Sequence, residues 1–280
     1  MTTYNELAGL RVNYLGSDPT LNTGNEGQVW YNSTTGTLRS LVQLKAWSSA
    51  SNLSTARRGS ANMGTQTAGA IAGGQAAPAY TNATEEYSGY TWSAGGNLNT
   101  TRAFLAGAGT QTTGLAFGGE APPDSGATEE YNGSTWTSNP TGLNTARRNI
   151  AGCGLQTAGL VFSGFSNPTT YNATEEYDGS AWTAGGNINT ARLSLAGCGT
   201  QTLALGFGGY IYSTGNQNAT EEYNGTSWTN STNLTTARRG LGGAGTQTAG
   251  LAFGGYAASN SDSTEEYTGA FLANKKVTLT

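Results

Sequence analysis

The chain has 280 residues, of which 13 are Lys or Arg, 17 are Asp or Glu and none is His, so its net charge is −4. Charged residues make up 11% of the chain, against about 25% in an average globular protein, and they form no basic run, so neither nucleic acid nor an anionic membrane surface is an expected partner. The absence of histidine excludes Ser–His and Cys–His nucleophilic sites and the common His-containing zinc sites, and we expect no cofactor.

Residues 1–40 have no counterpart in the rest of the chain. They contain no basic segment followed by an apolar run, and no stretch of the chain approaches about 18 consecutive apolar residues, so we expect folding in a cytoplasm and no membrane insertion. The strand-like segments QVWY and TLR flank the turn-like segment NSTTG, which predicts a small β-hairpin. We interpret 1–40 as an attachment or oligomerisation module with Trp30 and Tyr31 as contact residues; the alternative is a flap that packs under the rest of the protein.

Residues 41–280 contain five repeats of 44 to 46 residues. The string TEEY begins at Thr84, Thr128, Thr174, Thr220 and Thr264, tryptophans stand at Trp47, Trp92, Trp136, Trp182 and Trp228, and an arginine recurs at Arg57, Arg102, Arg147, Arg192 and Arg238. Each repeat divides into four short strand-like pieces separated by turn residues, with no helical period. Four antiparallel strands repeated radially predict an all-β, five-bladed β-propeller, with a solenoid as the alternative architecture.

The tryptophans indicate how such a ring would close. Trp47 precedes the first complete set of strands, whereas the last repeat ends as TEEYTGAFLA, without a tryptophan. We therefore expect the Trp47 strand to complete the fifth blade beside the strand of Tyr267. This pairing would remove the exposed sheet edges of an open array.

The charged residues and cysteines recur with the repeat. Adjacent glutamates of a strand point to opposite faces, so a TEEY pair is unsuited to chelating one ion. We predict that each repeat arginine pairs with a repeat glutamate; a ring of ion sites is the alternative. Cys153 and Cys198 occupy equivalent positions where two other repeats have alanine, which predicts buried thiols; a disulfide is the alternative. Asn224-Gly225 predicts a tight hairpin turn before Trp228 in which both residues have positive φ.

The loops between the second and third strands differ in every repeat. Variable loops at one end of a rigid scaffold commonly mediate recognition, and aromatic side chains there would stack on a sugar or a protein ligand. The alternative is drift in unselected loops. The candidate binding residues are Tyr80, Glu120, Asp124, Phe165, Tyr171, Tyr210, Tyr212 and Tyr256.

The repeat resembles a known family. A tyrosine strand, a turn, a tryptophan, a loop, an arginine, a small-residue strand and a Gly-Gly pair follow one another as in the kelch repeat, over about four fifths of the chain. The five-residue spacing from Tyr131 to Trp136 is shorter than is usual for kelch, and five repeats are fewer than is common there. The repeat wording NATEEYNGTSW is similar to kelch-like virion proteins of marine bacteriophages, and EGQVWYNSTTGTLR is similar to a short module of phage tail and fibre proteins.

The resemblance implies a non-enzymatic structural or adhesion protein of a bacteriophage virion, assembled in the host cytoplasm, with the propeller displayed as a binding head or decoration. It implies that other virion proteins bind residues 1–40, that a host-surface glycan or protein binds the loops, and that the chain joins a larger oligomeric assembly. One alternative is a cellular kelch-type scaffold that binds a protein partner. Another is a glycan-active enzyme, which the scattered acids outside the TEEY strings do not favour. Kelch enzymes of the galactose-oxidase type bind copper through histidine, which this chain lacks.

Overall fold

A computed structural model of the protein describes residues 12–19, 29–40 and 49–269. The chain divides into two compact units, Met1–Ser49 and Ala50–Thr280. In both units the described residues form strands, turns and loops, so the chain is all-β, as predicted. No helix among the described residues has the length and apolar character needed to cross a membrane.

The described part of the first unit is a three-stranded sheet. Val29–Asn32 pairs antiparallel with Thr37–Ser40, which confirms the predicted hairpin, and it also pairs parallel with Val12–Leu15. The parallel strand was not expected, because parallel strands need a long connection and leave no local turn signal in the sequence.

The second unit contains five consecutive larger antiparallel sheets, which we call A to E, and three two-stranded ones in the loops of sheets A, C and D: Gln75–Ala76 with Ala79–Tyr80, Phe165–Ser166 with Thr169–Thr170, and Tyr210–Ile211 with Gly215–Asn216. Sheets A to D have four strands each, paired in chain order, and sheet E has three described strands. Sheet A consists of Ala61–Thr65, Ala68–Ala72, Thr84–Tyr87 and Trp92–Ala94; sheet B of Ala106–Gly109, Gly114–Phe117, Thr128–Tyr131 and Trp136–Asn139; sheet C of Ala151–Leu155, Ala158–Phe162, Thr174–Tyr177 and Trp182–Ala184; sheet D of Ala196–Gly199, Ala204–Phe207, Thr220–Tyr223 and Trp228–Asn230; sheet E of Gly242–Gly245, Ala249–Phe253 and Thr264–Thr268. The predicted Trp47 strand lies outside the described residues.

The first strands of neighbouring sheets pack against one another from A to E. Small residues allow this approach: a Cβ atom at Gly107 in sheet B would meet the Asn62 carbonyl oxygen of sheet A at 2.8 Å. Any side chain at Gly107 would therefore push these two strands apart. The glycine- and alanine-rich first strands are explained by this close contact.

The turn before Trp228 differs from the prediction. In Asn224-Gly225 only the glycine has positive φ, at 86°. The Asn224 side chain instead accepts hydrogen bonds from the backbone N–H groups of Thr226 and Ser227, at 3.0 and 2.9 Å. The connection is thus a four-residue loop closed by an asparagine side chain, which tolerates ordinary φ at Asn224.

The same side-chain contacts join each sheet to the next. The indole N–H of Trp182 in sheet C donates to the Thr128 hydroxyl of sheet B at 2.8 Å, and the Tyr177 hydroxyl donates to Glu130. The amide of Gln156, from the TQT-type turn of sheet C, donates to two carbonyl groups of sheet B at 3.0 and 2.8 Å. Among the described residues the tyrosine and glutamine contacts recur at all four junctions from A/B to D/E.

Each repeat arginine forms a buried ion pair with the first glutamate of its own sheet, as predicted. The pairs are Arg57–Glu85, Arg102–Glu129, Arg147–Glu175, Arg192–Glu221 and Arg238–Glu265. The arginine side chains are completely buried in all five. Burial lowers the pKa of Arg102 to about 10, and the Glu129 charge counteracts part of that effect. Cys153 and Cys198 are buried free thiols, which confirms the prediction for them.

Candidate functional site: the variable loop rim

The loops between the second and third strands are held at one end of the sheets by a repeated backbone pairing. The residue after each repeat arginine pairs antiparallel with the residue after the Gly-Gly position. These pairs are Arg58 with Gln75, Ala103 with Glu120, Arg148 with Phe165, Leu193 with Tyr210 and Arg239 with Tyr256. We call the resulting surface the loop rim; its segments are 75–82, 120–126, 165–172, 210–218 and 256–262.

The loops that follow the tryptophans lie at the same end, as predicted. The N–H of Leu98 donates to the Asn82 carbonyl at 2.9 Å, and that of Ile188 donates to the Asn172 carbonyl at 3.0 Å. The turns between first and second strands lie at the opposite end, because successive connections of antiparallel strands alternate between the two ends of a sheet. The rim is therefore separated from the repeated TQT turns by the length of a strand.

Three of the predicted rim residues form one cluster around Arg148. Its guanidinium lies 2.5 Å from Glu120 and 3.0 Å from Asp124, and the Tyr80 hydroxyl donates to Glu120 at 2.6 Å. This hydrogen bond to the carboxylate, together with burial, raises the pKa of Tyr80. Both acids are thus held in ion pairs by a partly exposed arginine, and the cluster links the loops of three repeats.

A second cluster contains aromatic residues from the loops of the last three repeats. The Arg239 guanidinium lies 4.4 Å from the centroid of the Tyr210 ring and 5.0 Å from that of Tyr256, which gives two cation–π contacts. The Tyr212 ring centroid lies 5.5 Å from those of both Phe165 and Tyr210, while the residue stays 63% exposed. This cluster presents aromatic faces and a cation at the surface.

Arg148 connects the two clusters, since its guanidinium lies 5.5 Å from the Phe165 ring centroid. Seven of the eight predicted rim residues are thereby brought into two adjoining groups. Tyr171 is separate: its backbone N–H donates to the Gly164 carbonyl at 2.8 Å, and its ring contacts no other aromatic ring of the described residues.

The structure places the two predicted attachment residues inside the first unit's sheet. Trp30 is only 4% exposed and donates to Asp18 at 2.9 Å, and the Tyr31 ring packs against Tyr14 with the centroids 4.7 Å apart and the planes tilted by 40°. Hydrogen bonds from Asn32 and then from Trp30 lower the pKa of Asp18. Trp30 is therefore a packing residue of this sheet, whereas Tyr14, at 75% exposure, offers an accessible ring.

The second arginines of the repeats were missed as site residues. They were not among the predicted rim residues, yet Arg148 and Arg239 organise the two clusters. The signal was present in the sequence: the position after the repeat arginine is Arg, Ala, Arg, Leu and Arg in the five repeats, so it varies as the loops do.

Among the described residues no group of three or more His, Cys, Asp or Glu side chains is arranged to hold a metal ion. No protein family model matches this chain, and the curated protein sequences contain no significant match to it. The kelch resemblance therefore depends on the repeats themselves.

Proposed function

We propose that the second unit is a closed five-bladed β-propeller. One depression of about 250 Å³ is lined by equivalent residues of all five repeats, among them Gly59, Phe104, Asn149, Ser194 and Gly240. Five repeats whose equivalent residues line a single depression are consistent with a ring of sheets around an axis. The four repeated junctions from A/B to D/E fit the same arrangement.

Closure would need a fifth junction, and a cavity beside sheet E suggests its form. This cavity of about 250 Å³ is lined by residues that include Thr220 and Phe207 of sheet D. Their equivalents one junction earlier in the chain are Thr174 and Phe162, and these contact Trp228 through a hydrogen bond and a ring contact. The strand of Trp47, which we expect to complete the fifth blade, lies outside the described residues.

We further propose that this propeller is a non-enzymatic binding head, displayed by a bacteriophage virion for attachment to a host surface. The observation that supports it is the difference between the two ends of the sheets. At the turn end the TQT-type glutamines are used in contacts between sheets, as for Gln156. At the rim each loop differs, and Tyr212, Tyr256 and Arg239 form an aromatic and cationic surface.

The proposed virion location is based on the similarity of the repeat sequences and of residues 1–40 to phage virion proteins. In this proposal the first unit attaches the protein to other virion proteins, and the rim faces outward to a host glycan or protein. A cellular scaffold would use the same rim. The first unit distinguishes the two, because a virion part is expected to assemble through it.

The test compares full-length protein with a Tyr212→Ala variant for binding to cells of the host. Leu203→Ala is the matched control, because Leu203 is also a large apolar residue, 53% exposed, but lies at the turn end. We expect the rim variant to weaken binding several-fold and the control to bind normally. Equal binding by all three proteins would contradict the rim as the binding surface.

Immunogold electron microscopy of intact phage particles tests whether the protein is part of the virion and whether its loop rim faces outward. Antibodies against the loop 210–218 are expected to label the particle surface, and antibodies against a turn-end peptide serve as the comparison. Particles that show no label with either antibody would rule out the virion location. Label with the turn-end antibody alone would reverse the proposed orientation.

A further inference from the structure

The depression at the centre of the five repeats is built from one backbone position. Each repeat contributes the residue two places after its repeat arginine: Gly59, Phe104, Asn149, Ser194 and Gly240. All five have positive φ, between 52° and 63°. Their backbones are linked in sequence: the N–H of Asn149 donates to the Phe104 carbonyl at 2.9 Å, and the N–H of Ser194 donates to the Asn149 carbonyl at 2.9 Å.

Three of the five positions are occupied by residues with a side chain, although glycine would adopt the same positive φ more easily. Positive φ is unfavourable for residues with a Cβ atom, least for Asn and most for bulky residues such as Phe. Gly59 and Gly240 adopt the same conformation without that cost. Strained residues of this kind are concentrated at ligand sites, and here they surround a depression.

The three side chains give the depression two different walls. The Phe104 ring lies against the first repeat, because a Cβ atom at Gly59 would meet a ring carbon at 2.7 Å. On the other side, neither the Asn149 amide nor the Ser194 hydroxyl has a hydrogen-bond partner among the described residues. The depression therefore combines an aromatic face with free hydrogen-bonding groups.

The other residues that line the depression are apolar, apart from one cation. Leu105, Ile150 and Leu195 line it and are 4 to 8% exposed, so the floor is apolar. Arg58 is the charged residue among the lining residues, which include no acid. Its Nε donates to the Gln75 side chain at 2.9 Å, which orients the guanidinium. An apolar pocket with a few polar groups and one cation is typical of a small-molecule site for a polar or anionic ligand.

We propose that this axial depression binds a sugar that has a carboxylate group, such as a uronic acid unit. Phe104 would contact the C–H face of the sugar ring, Asn149 and Ser194 would hydrogen-bond its hydroxyl groups, and Arg58 would pair with the carboxylate. None of these four residues belongs to the Tyr212 surface of the proposed binding head, so the site goes beyond that function and does not depend on it.

The experiment measures binding of sodium D-glucuronate and of D-glucose to the full-length protein by saturation-transfer NMR and calorimetry. We expect saturation transfer to glucuronate and a weaker signal from glucose. The Asn149→Gly/Ser194→Gly variant should stay folded, because glycine is native at the same position in the first and fifth repeats, and should bind glucuronate about tenfold more weakly or worse. Arg58→Gln should remove the preference for glucuronate over glucose.

Three outcomes would overturn the proposal. They are no saturation transfer to glucuronate, equal binding of glucuronate and glucose by the unmodified protein, and unchanged glucuronate binding by the folded double-glycine variant. Tyr212→Ala is the control and should leave glucuronate binding unchanged. A loss of host-cell binding in Tyr212→Ala alone, or of glucuronate binding in the double-glycine variant alone, separates the two proposals.

Discussion

The buried ion pairs give a direct test of the scaffold, because neighbouring arginines of one repeat differ in burial. Arg147 is fully buried; it donates to the carbonyls of Ser163 and Thr145 at 2.9 and 3.1 Å and pairs with Glu175. Replacement by Met leaves these groups without their donor and strands a buried carboxylate, which typically costs about 3–5 kcal/mol. Glu175 keeps two hydrogen bonds from Asn144, at 2.7 and 2.9 Å, so we expect the low end, about 3 kcal/mol.

Arg148→Met is the matched control. The Arg148 side chain is 25% exposed and its partners are partly solvated, so the expected cost is about 1 kcal/mol or less. Equilibrium urea unfolding, followed by tryptophan fluorescence, measures both. In a cycle with Glu175→Gln, the double variant should cost less than the sum of the two single variants, because it leaves no unpaired charge. An Arg147→Met cost no larger than that of Arg148→Met would refute the assignment of these pairs as buried structural contacts.

Three further predictions concern the junctions and the ring. Gln156→Ala should lower the unfolding free energy by about 1–3 kcal/mol, since two carbonyls of sheet B lose their donor, whereas the exposed Thr157→Ala should change it little in the same urea titration. Burial, followed by a hydrogen bond to a glutamate, raises the pKa of Tyr131 and Tyr223 to about 12. The stability that these two tyrosines contribute is fully present below their ordinary pKa of 10.0 and is lost as the pH rises through about 12. In an alkaline titration followed by tyrosinate absorbance, a late fraction of the tyrosines should therefore ionise together with unfolding. Ionisation of every tyrosine near pH 10 would contradict these contacts. Trp47→Ala should lower the urea midpoint if the Trp47 strand completes the fifth blade, and an unchanged midpoint would contradict that closure.

Much of the second unit's architecture follows from its repetition. The positions of TEEY, tryptophan and arginine predicted the sheets, because a strand and a turn that recur five times leave little freedom in assigning either. The Arg147–Glu175 type of pair was also predictable, since two charges that recur with the scaffold need partners that recur with it. Burial of Cys153 and Cys198 followed from their exchange with alanine.

Other features depend on distances that one sequence does not specify. The prediction did not specify which glutamate of a pair binds the arginine or what the other one contacts; Glu130, the second of its pair, accepts the Tyr177 hydroxyl of the next sheet. That contact depends on how closely two sheets approach, which spacing along the chain does not determine. The roles of Arg148 and Arg239 have the same origin, because each side chain reaches loops of adjacent repeats.

The repeated contacts between sheets leave the sequences of the rim loops free to vary. Each sheet contacts its neighbours through the same few atoms, while the rim loop of a repeat lies between its Gly-Gly position and its TEEY strand. The Tyr, Trp and Gln side chains that make these contacts, such as Tyr177, Trp182 and Gln156, all lie outside the rim loops. In evolutionary terms, substitutions and insertions in a rim loop meet fewer constraints than those in the strands, because the loop supplies none of these contacts between sheets.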